Sequence, residues 1–327
     1  MRINPKLKKR VIIAVVIIVC LAAAVLFIRY RKSKKKDEKQ LFIENKLRVS
    51  ASYSWQGWGD PKFFDYAIQQ YEEILKFQPK QKEAIIGLAD VYTRKGLVDA
   101  NSKKECFDKA EKLYKRSIGL DPKNAAYIVS LGTLYFYRGE GNEAMEKANQ
   151  ALLNDPRFGG AYLLRALIYE SQKNLSLAII NYKKAQVLHE KKRPQLWPYS
   201  GLARLFFNAG LPYDAVGQLE KATRIWPKLT GAHLELANYY FRMGLIDKTI
   251  SVLNSVLKFD KGEARTYYMM GLAYLRKQDY IASYANFKRA KSLGAEVNDA
   301  FLENLNKAIQ KEKEAQQGKK ENAEKNN

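Results

Sequence analysis

Residues 131–156 read LGTLYFYRGEGNEAMEKANQALLNDP, and this stretch decides the fold. Leu131, Gly132 and Tyr135 fall at helical spacing, and Gly139 interrupts the run. Ala144 and Ala151 then recur one or two turns apart until Pro156. Glycine ends one helix and proline forbids the continuation of a second. The unit is therefore a pair of short helices of about 34 residues in all. Moved on by 34 residues the pattern returns as Ala166 and Tyr169, then Ala178, Tyr182 and Ala185. After a three-residue insertion holding Arg193 and Pro194, it returns as Tyr199, Leu202, Ala203, Phe206, Gly210, Ala215, Ala222 and Pro227. Leu236, Ala237, Tyr240 and Gly244 carry it again, followed by Tyr267, Gly271, Tyr274, Phe287 and Ala290.

Such a period has a physical basis. A single pair of antiparallel helices cannot bury its apolar faces, so pairs must stack. Gly or Ala at 132, 166, 203, 237 and 271 permits close helix approach, and the Tyr or Phe three residues later fills the gap to the next pair. Gly96, Gly139, Gly210 and Gly244 are expected as left-handed C-caps, and Pro79, Pro122, Pro156 and Pro227 as separators between repeats. Residues 82–122 form a less regular repeat with Ile85, Leu88, Ala89, Tyr92, Ala110 and Tyr114. Its two helices are expected to be separated by about nine extra residues around Val98–Glu105. Residues 40–80 form another, with Ala67, Tyr71 and Pro79, interrupted by Trp55-Gln56-Gly57-Trp58-Gly59 before Asp60-Pro61.

The pattern resembles the tetratricopeptide-repeat (TPR) family over residues 82–296. The resemblance implies an all-α, right-handed helix-turn-helix solenoid of about seven repeats over residues 40–296. Phe301, Leu302, Leu305 and Ile309, at helical spacing, predict a capping helix over 297–315. Residues 316–327 contain no large apolar side chain and are expected to be disordered.

In that family the first helix of each repeat lines a binding groove, and the residue after the motif's Tyr points into it. Those positions hold Thr93, Phe136, Glu170, Phe207, Phe241 and Leu275. With neighbouring inward positions the resemblance implies a peptide groove of Phe136, Tyr137, Trp197, Arg204, Phe207, Asn208, Asn238, Phe241, Arg242, Arg265, Tyr268 and Arg276. Aromatic and arginine side chains are common interface anchors. The implied partner is a protein or peptide segment with apolar and acidic residues. The alternative is that the phenylalanines pack on the next repeat and the arginines are merely solvated. Some TPR domains clamp a chaperone's C-terminal carboxylate; Asn238 and Arg265 would suit, but Leu234 and Met269 stand where polar residues are needed.

The chain begins differently. Val11 to Ile28 reads VIIAVVIIVCLAAAVLFI, eighteen residues without a polar side chain. As a helix they span about 27 Å, close to a bilayer core. Ala22–Ala24 is followed by more apolar residues and then by Arg29-Tyr30-Arg31-Lys32, unlike a cleaved leader. The expectation is a basic tail over 1–10, a transmembrane helix over 11–28 and a basic juxtamembrane segment over 29–39. Arg29, Arg31, Lys32, Lys34, Lys35 and Lys36 would lie against anionic headgroups, each contributing about 1 kcal/mol. Five basic residues precede the run and seven follow it, which fixes no side of the membrane for the repeats. The resemblance extends to bacterial membrane-anchored TPR adaptors, which implies a single-pass protein of the bacterial inner (cytoplasmic) membrane.

Composition removes other functions. The net charge is +23, of which residues 1–39 supply +10. With two histidines, His189 and His233, and two cysteines, Cys20 and Cys106, no zinc site or Cys–His dyad can be assembled at ligand spacing. No phosphate-cradling glycine loop or nucleophile elbow occurs. No cofactor, no small-molecule substrate and no enzymatic activity are expected. The basic charge also suits RNA, but helical repeats that read RNA need polar code residues where these repeats hold aromatics. The remaining alternative is an assembly subunit that oligomerises through its own repeats.

Overall fold

The computed structural model describes residues 38–54, 56–188 and 195–325, with side chains as far as residue 315. The expected span 11–28, its basic flanks and the insertion at Arg193 and Pro194 lie outside the described residues. Among the described residues no helix is long and apolar enough to cross a membrane, and the secondary structure is fifteen helices with no strand.

The chain divides into two compact units, Met1–Asn154 and Asp155–Asn327. The first unit holds three helical hairpins: α1 (38–54) with α2 (Lys62–Phe77), α3 (Lys82–Val98) with α4 (Lys103–Leu120), and α5 (Ala125–Arg138) with α6 (Gly141–Asn154). The second holds four: α7 (Gly159–Ser171) with α8 (Leu175–Leu188), α9 (Trp197–Asn208) with α10 (Pro212–Ile225), α11 (Thr230–Arg242) with α12 (Ile246–Leu257), and α13 (Ala264–Arg276) with α14 (Tyr280–Ser292). A last helix, α15 (Asp299–Lys325), follows. The count of seven hairpins is that read from the sequence.

Glycine–aromatic contacts let the helices of the second unit approach closely, at the expected small position Gly271 and also at Gly201, which the sequence reading did not single out. Tyr182 of α8 is fully buried against Gly201 of α9, and Phe287 of α14 lies against Gly271 of α13. In the first unit Phe64, Tyr71, Ile74, Leu88, Phe107 and Tyr114 share one core with Leu131 and Leu134. Each such side chain contributes about 1.5–3 kcal/mol relative to exposure. Leu302, Leu305 and Ile309 of α15 are buried, the first two beside Phe287, as expected of a helix covering the last hairpin.

The helix ends show why the period is 34. At Gly139 (φ 86°) the amide N–H donates to Phe136 O and that of Glu140 to Tyr135 O, closing the first helix in a left-handed turn. Gly210 and Gly244 do the same. In two repeats a non-glycine residue takes the position: Lys173 and Gln278 both sit at φ 61° and close the same pair of hydrogen bonds.

Three expectations need correction. Gly96 is not a C-cap: it lies buried inside α3, where a Cβ would meet the ring of Phe107 at 2.8 Å. Its role is close approach of α4, not a turn. The extra residues around Val98–Glu105 do not separate α3 from α4. Only residues 99–102 connect them, and the surplus lengthens both helices, to 17 and 18 residues. Residues 316–325, expected to be disordered, continue α15. The cause is composition: Gln, Lys, Glu and Ala are strong helix formers, and only Gly318 and Asn322 oppose them.

Candidate functional site

On the second unit the first helices α7, α9, α11 and α13 are bridged in succession by side chains one repeat apart. Arg204 of α9 donates from Nε and Nη2 to the two carboxylate oxygens of Glu170 on α7, at 2.9 and 2.8 Å. Tyr182 Oη donates to the same carboxylate at 2.7 Å. Burial, together with the hydrogen bond to Glu170, raises the Tyr182 hydroxyl above its ordinary value. Ser200 Oγ donates to Glu235 Oε2 on α11 at 2.5 Å. Burial raises the Glu235 carboxyl, and the Ser200 hydrogen bond and Arg204 charge oppose it.

Further along the same helices the bridges become aromatic. The Arg242 guanidinium lies 4.0 Å from the ring centre of Phe207, whose edge meets Tyr239 at 5.1 Å. One repeat on, Arg276 lies 5.3 Å from the ring of Phe241. A guanidinium stacked on a ring face keeps its in-plane N–H donors available for a carboxylate. Arg242 and Arg276 are exposed, and among the described residues neither is paired with an acid.

The residues named from the sequence thus fall into groups. Arg204, Phe207, Phe241, Arg242 and Arg276 belong to this ladder, with Asn208 and Asn238 exposed on its helices. Phe207 does pack directly on Tyr239 of the next repeat, and Arg242 and Arg276 lie over the rings of Phe207 and Phe241 rather than free in solvent. Arg204 is already paired. Trp197 is 68% exposed at the start of α9, and Arg265, at the start of α13, is held by Glu263 at 2.9 Å. Tyr268 is drawn to the far end, where its ring meets Phe287 at 5.2 Å beside a cavity of about 680 Å³. Leu272, Leu275, Phe287 and Phe301 supply the apolar wall of that cavity and Lys291 a charge. Phe136 and Tyr137 lie on α5 of the first unit, their rings 5.9 Å apart. The basic residues 29–36 lie outside the described residues.

Glu235, a cavity and the pairing of Glu170 with Arg204 were missed. Glu170 and Arg204 are 34 residues apart, one repeat, and that spacing was the available signal. Glu235 and the cavity walls carry no such mark.

The first unit presents a different interior. Tyr114 Oη donates to Asp90 at 2.7 Å and lies 3.1 Å from Thr93 Oγ1, while Arg94 donates to Ser54 Oγ at 2.7 Å. Burial raises the Asp90 carboxyl and pushes the Tyr71 hydroxyl up to about 12. The hydrogen bonds among Asp90, Thr93, Tyr114, Arg94 and Ser54 tie α1, α3 and α4 together. Among the described residues no cluster of His, Cys, Asp or Glu could hold a metal ion. His233 packs beside Phe259 at 5.7 Å, and Cys106 is buried and free.

Charge is divided unevenly along the chain. Residues 40–154 carry a net +2 and residues 155–327 a net +11. The exposed arginines of the ladder lie in the stretch 155–327, and residues 1–39 bring the first unit to a similar net charge of +12.

Stacked helical hairpins with a bridged first-helix face define a helical-repeat protein of the protein-interaction type. Tetratricopeptide-repeat family models match residues 129–195 and 264–293. The chain carries tetratricopeptide repeats. A further model, plant specific mitochondrial import receptor subunit TOM20, matches residues 55–135. Among curated proteins it is similar to the BBSome complex member BBS4 of Bos taurus, with 23% identity over 86% of this chain and 50% of that one. It is also similar to the CTR9 homolog of Arabidopsis thaliana, with 22% identity over 70% of this chain and 21% of that one. The chain thus spans about half the length of the first relative and a fifth of the second. The solved structure of TTC0263, a thermophilic TPR protein of Thermus thermophilus, aligns with a TM-score of 0.50 and 23% identity over 61% of this chain and 99% of that one. That likeness concerns the fold alone.

Proposed function

We propose that this chain is a membrane-tethered, non-catalytic scaffold. In this reading the first-helix face of its second unit captures a protein segment that combines apolar and acidic residues. The observation that supports this most is the pair of guanidinium-on-ring stacks, Arg242 on Phe207 and Arg276 on Phe241. Each offers an aromatic edge for an apolar side chain and a preoriented donor for a carboxylate. The tether is residues 11–28 with the basic block 29–36 on headgroups. The side of the membrane stays open. The one family match with a stated location is a mitochondrial import receptor subunit. It favours a receptor-like adaptor, and the bacterial inner membrane expected from the sequence is not carried forward.

The test is an array of peptides in which Leu and Phe alternate with Asp and Glu, probed with the full chain in detergent. Binding is expected, weakening as salt rises and lost on combining Phe207→Ala, Phe241→Ala and Arg242→Ala. A triple variant with an unchanged helical circular-dichroism spectrum that still binds would overturn the reading.

A second reading is favoured by the similarity to a BBSome complex member over most of this chain: a subunit of a larger assembly. Sedimentation of the full chain separates the two. A stable oligomer supports the subunit and a monomer supports the adaptor.

A further inference from the structure

The first hairpin exposes apolar side chains at one end only partly explained by packing. Leu41 is 59% exposed, Phe42 39% and Phe77 60%. The rings of Phe42 and Phe77 meet edge to face at 5.7 Å, which places the start of α1 and the end of α2 at the same end of the hairpin. The core of the unit lies behind them, with Ile43 and Ile74 fully buried. Lys39, Lys76 and Lys80 are exposed around the patch, and Lys46 Nζ lies 5.5 Å from the Phe42 ring centre. Glu38 shares the first turn, and Glu73 is paired with Lys46. Glu44 and Glu72 are exposed one turn further from the tip along α1 and α2, so the lysines flank the apolar tip itself and these two acids lie behind it.

We infer that this end of the hairpin rests on an anionic bilayer surface, with Leu41, Phe42 and Phe77 entering the headgroup boundary and Lys39, Lys76 and Lys80 meeting the phosphates. The inference rests on the reading of residues 11–28 as a span. Nine residues, 29–37, separate the apolar run from the helical residue Glu38. Fully extended they reach about 30 Å, so the patch cannot leave the neighbourhood of the membrane. Leu41 and Phe42 are the first large apolar residues after that basic connection. Aromatic side chains partition to the bilayer interface, and each basic residue near anionic headgroups strengthens the contact by about fivefold.

The size of the patch argues for lipid over protein. Stable protein interfaces bury roughly 1,200–2,000 Å², and three side chains cannot supply that. A tethered contact needs far less, because the anchor keeps the local concentration of surface high.

The experiment uses the full chain, one copy per lipid nanodisc, read by hydrogen exchange. In discs of phosphatidylcholine with phosphatidylserine, amides of residues 38–45 and 74–81 should exchange about tenfold more slowly than in phosphatidylcholine alone. Phe42→Ser combined with Phe77→Ser should abolish the difference while α3 to α5 exchange as before. Equal exchange in the two lipids, or protection surviving in the folded double variant, overturns the docking. Extraction of membranes with alkaline carbonate separates the two failures. A chain retained in the membrane without lipid-dependent protection removes the docking alone, and a chain released by carbonate removes the anchor and the docking together.

Discussion

Gly201 leaves no room for a methyl group. A Cβ there would lie 2.4 Å from Cε1 and Cζ of Tyr182. The ring cannot step aside, because it is fully buried and its hydroxyl is fixed on Glu170, which also holds Arg204. Alanine would gain about 1 kcal/mol of helix propensity but incur about 1–3 kcal/mol of overpacking. Gly201→Ala should therefore lower the melting temperature. Gly217, inside α10 with nothing within 4 Å of its would-be Cβ, is the contrast. Gly217→Ala should raise the melting temperature, through a gain of about 0.5–1 kcal/mol in stability. Thermal unfolding of the two variants checks both; a shift of the same sign would show that the Tyr182 contact does not decide the site.

Between elements, the α4–α5 junction is held by charge as well as by the core. Glu111 accepts from Arg138 Nη1 at 2.5 Å and from Tyr135 Oη at 3.1 Å, and pairs with Lys115 at 2.7 Å. Burial alone would raise its carboxyl, but the hydrogen bonds from Lys115 and Arg138 and their charges hold it at about 2, below the ordinary 4.5. The folded value lies below the unfolded one, so the stabilisation is in force above about pH 4.5 and fades as pH falls towards 2. Solvent screening limits it to about 1 kcal/mol or less. Glu111→Gln should be less stable than the parent at neutral pH, and the gap should close between pH 4.5 and 2. Melting temperatures over that range measure it, and a gap independent of pH would assign the loss to packing. The first-helix ladder belongs to this scale too. Phe207 and Arg242 are bridging residues before they are binding residues, which is why the triple variant needs its circular-dichroism control.

For the whole chain, stacked hairpins make stability a sum of neighbour contacts rather than one cooperative block. Leu305 of α15 is 5% exposed and packs with Phe287 and Leu302. Leu305→Ala should cost about 2–5 kcal/mol at that interface. Hydrogen exchange should speed first in α13 to α15, while α3 to α5 in the first unit keep their rates. Uniform acceleration from residue 38 to 325 would mean that the two compact units open together. The charge division works at the same scale. Residues 40–154 carry +2 and residues 155–327 carry +11, while residues 1–39 add +10 at the start of the chain, so an acidic partner is attracted to both ends of the sequence.

The sequence by itself determined the seven helical hairpins, because each needs a small residue, an aromatic and a breaker at spacings that 3.6 residues per turn imposes. Through its resemblance to the tetratricopeptide repeat it also marked Phe207, Phe241, Arg242 and Arg276 as first-helix residues of a groove. Only the tertiary structure decided which of the named groups were already committed. Arg204 meets Glu170 and Arg265 meets Glu263, while Tyr268 turns into the cavity under α15. It also decided that the surplus around 98–105 lengthens α3 and α4, since only the buried approach of Phe107 to Gly96 shows that the helix runs on. The physical reason is common to these cases. Periodicity records which face of a helix a residue occupies, whereas ion pairing, ring stacking and cavity walls depend on what the neighbouring helix places opposite.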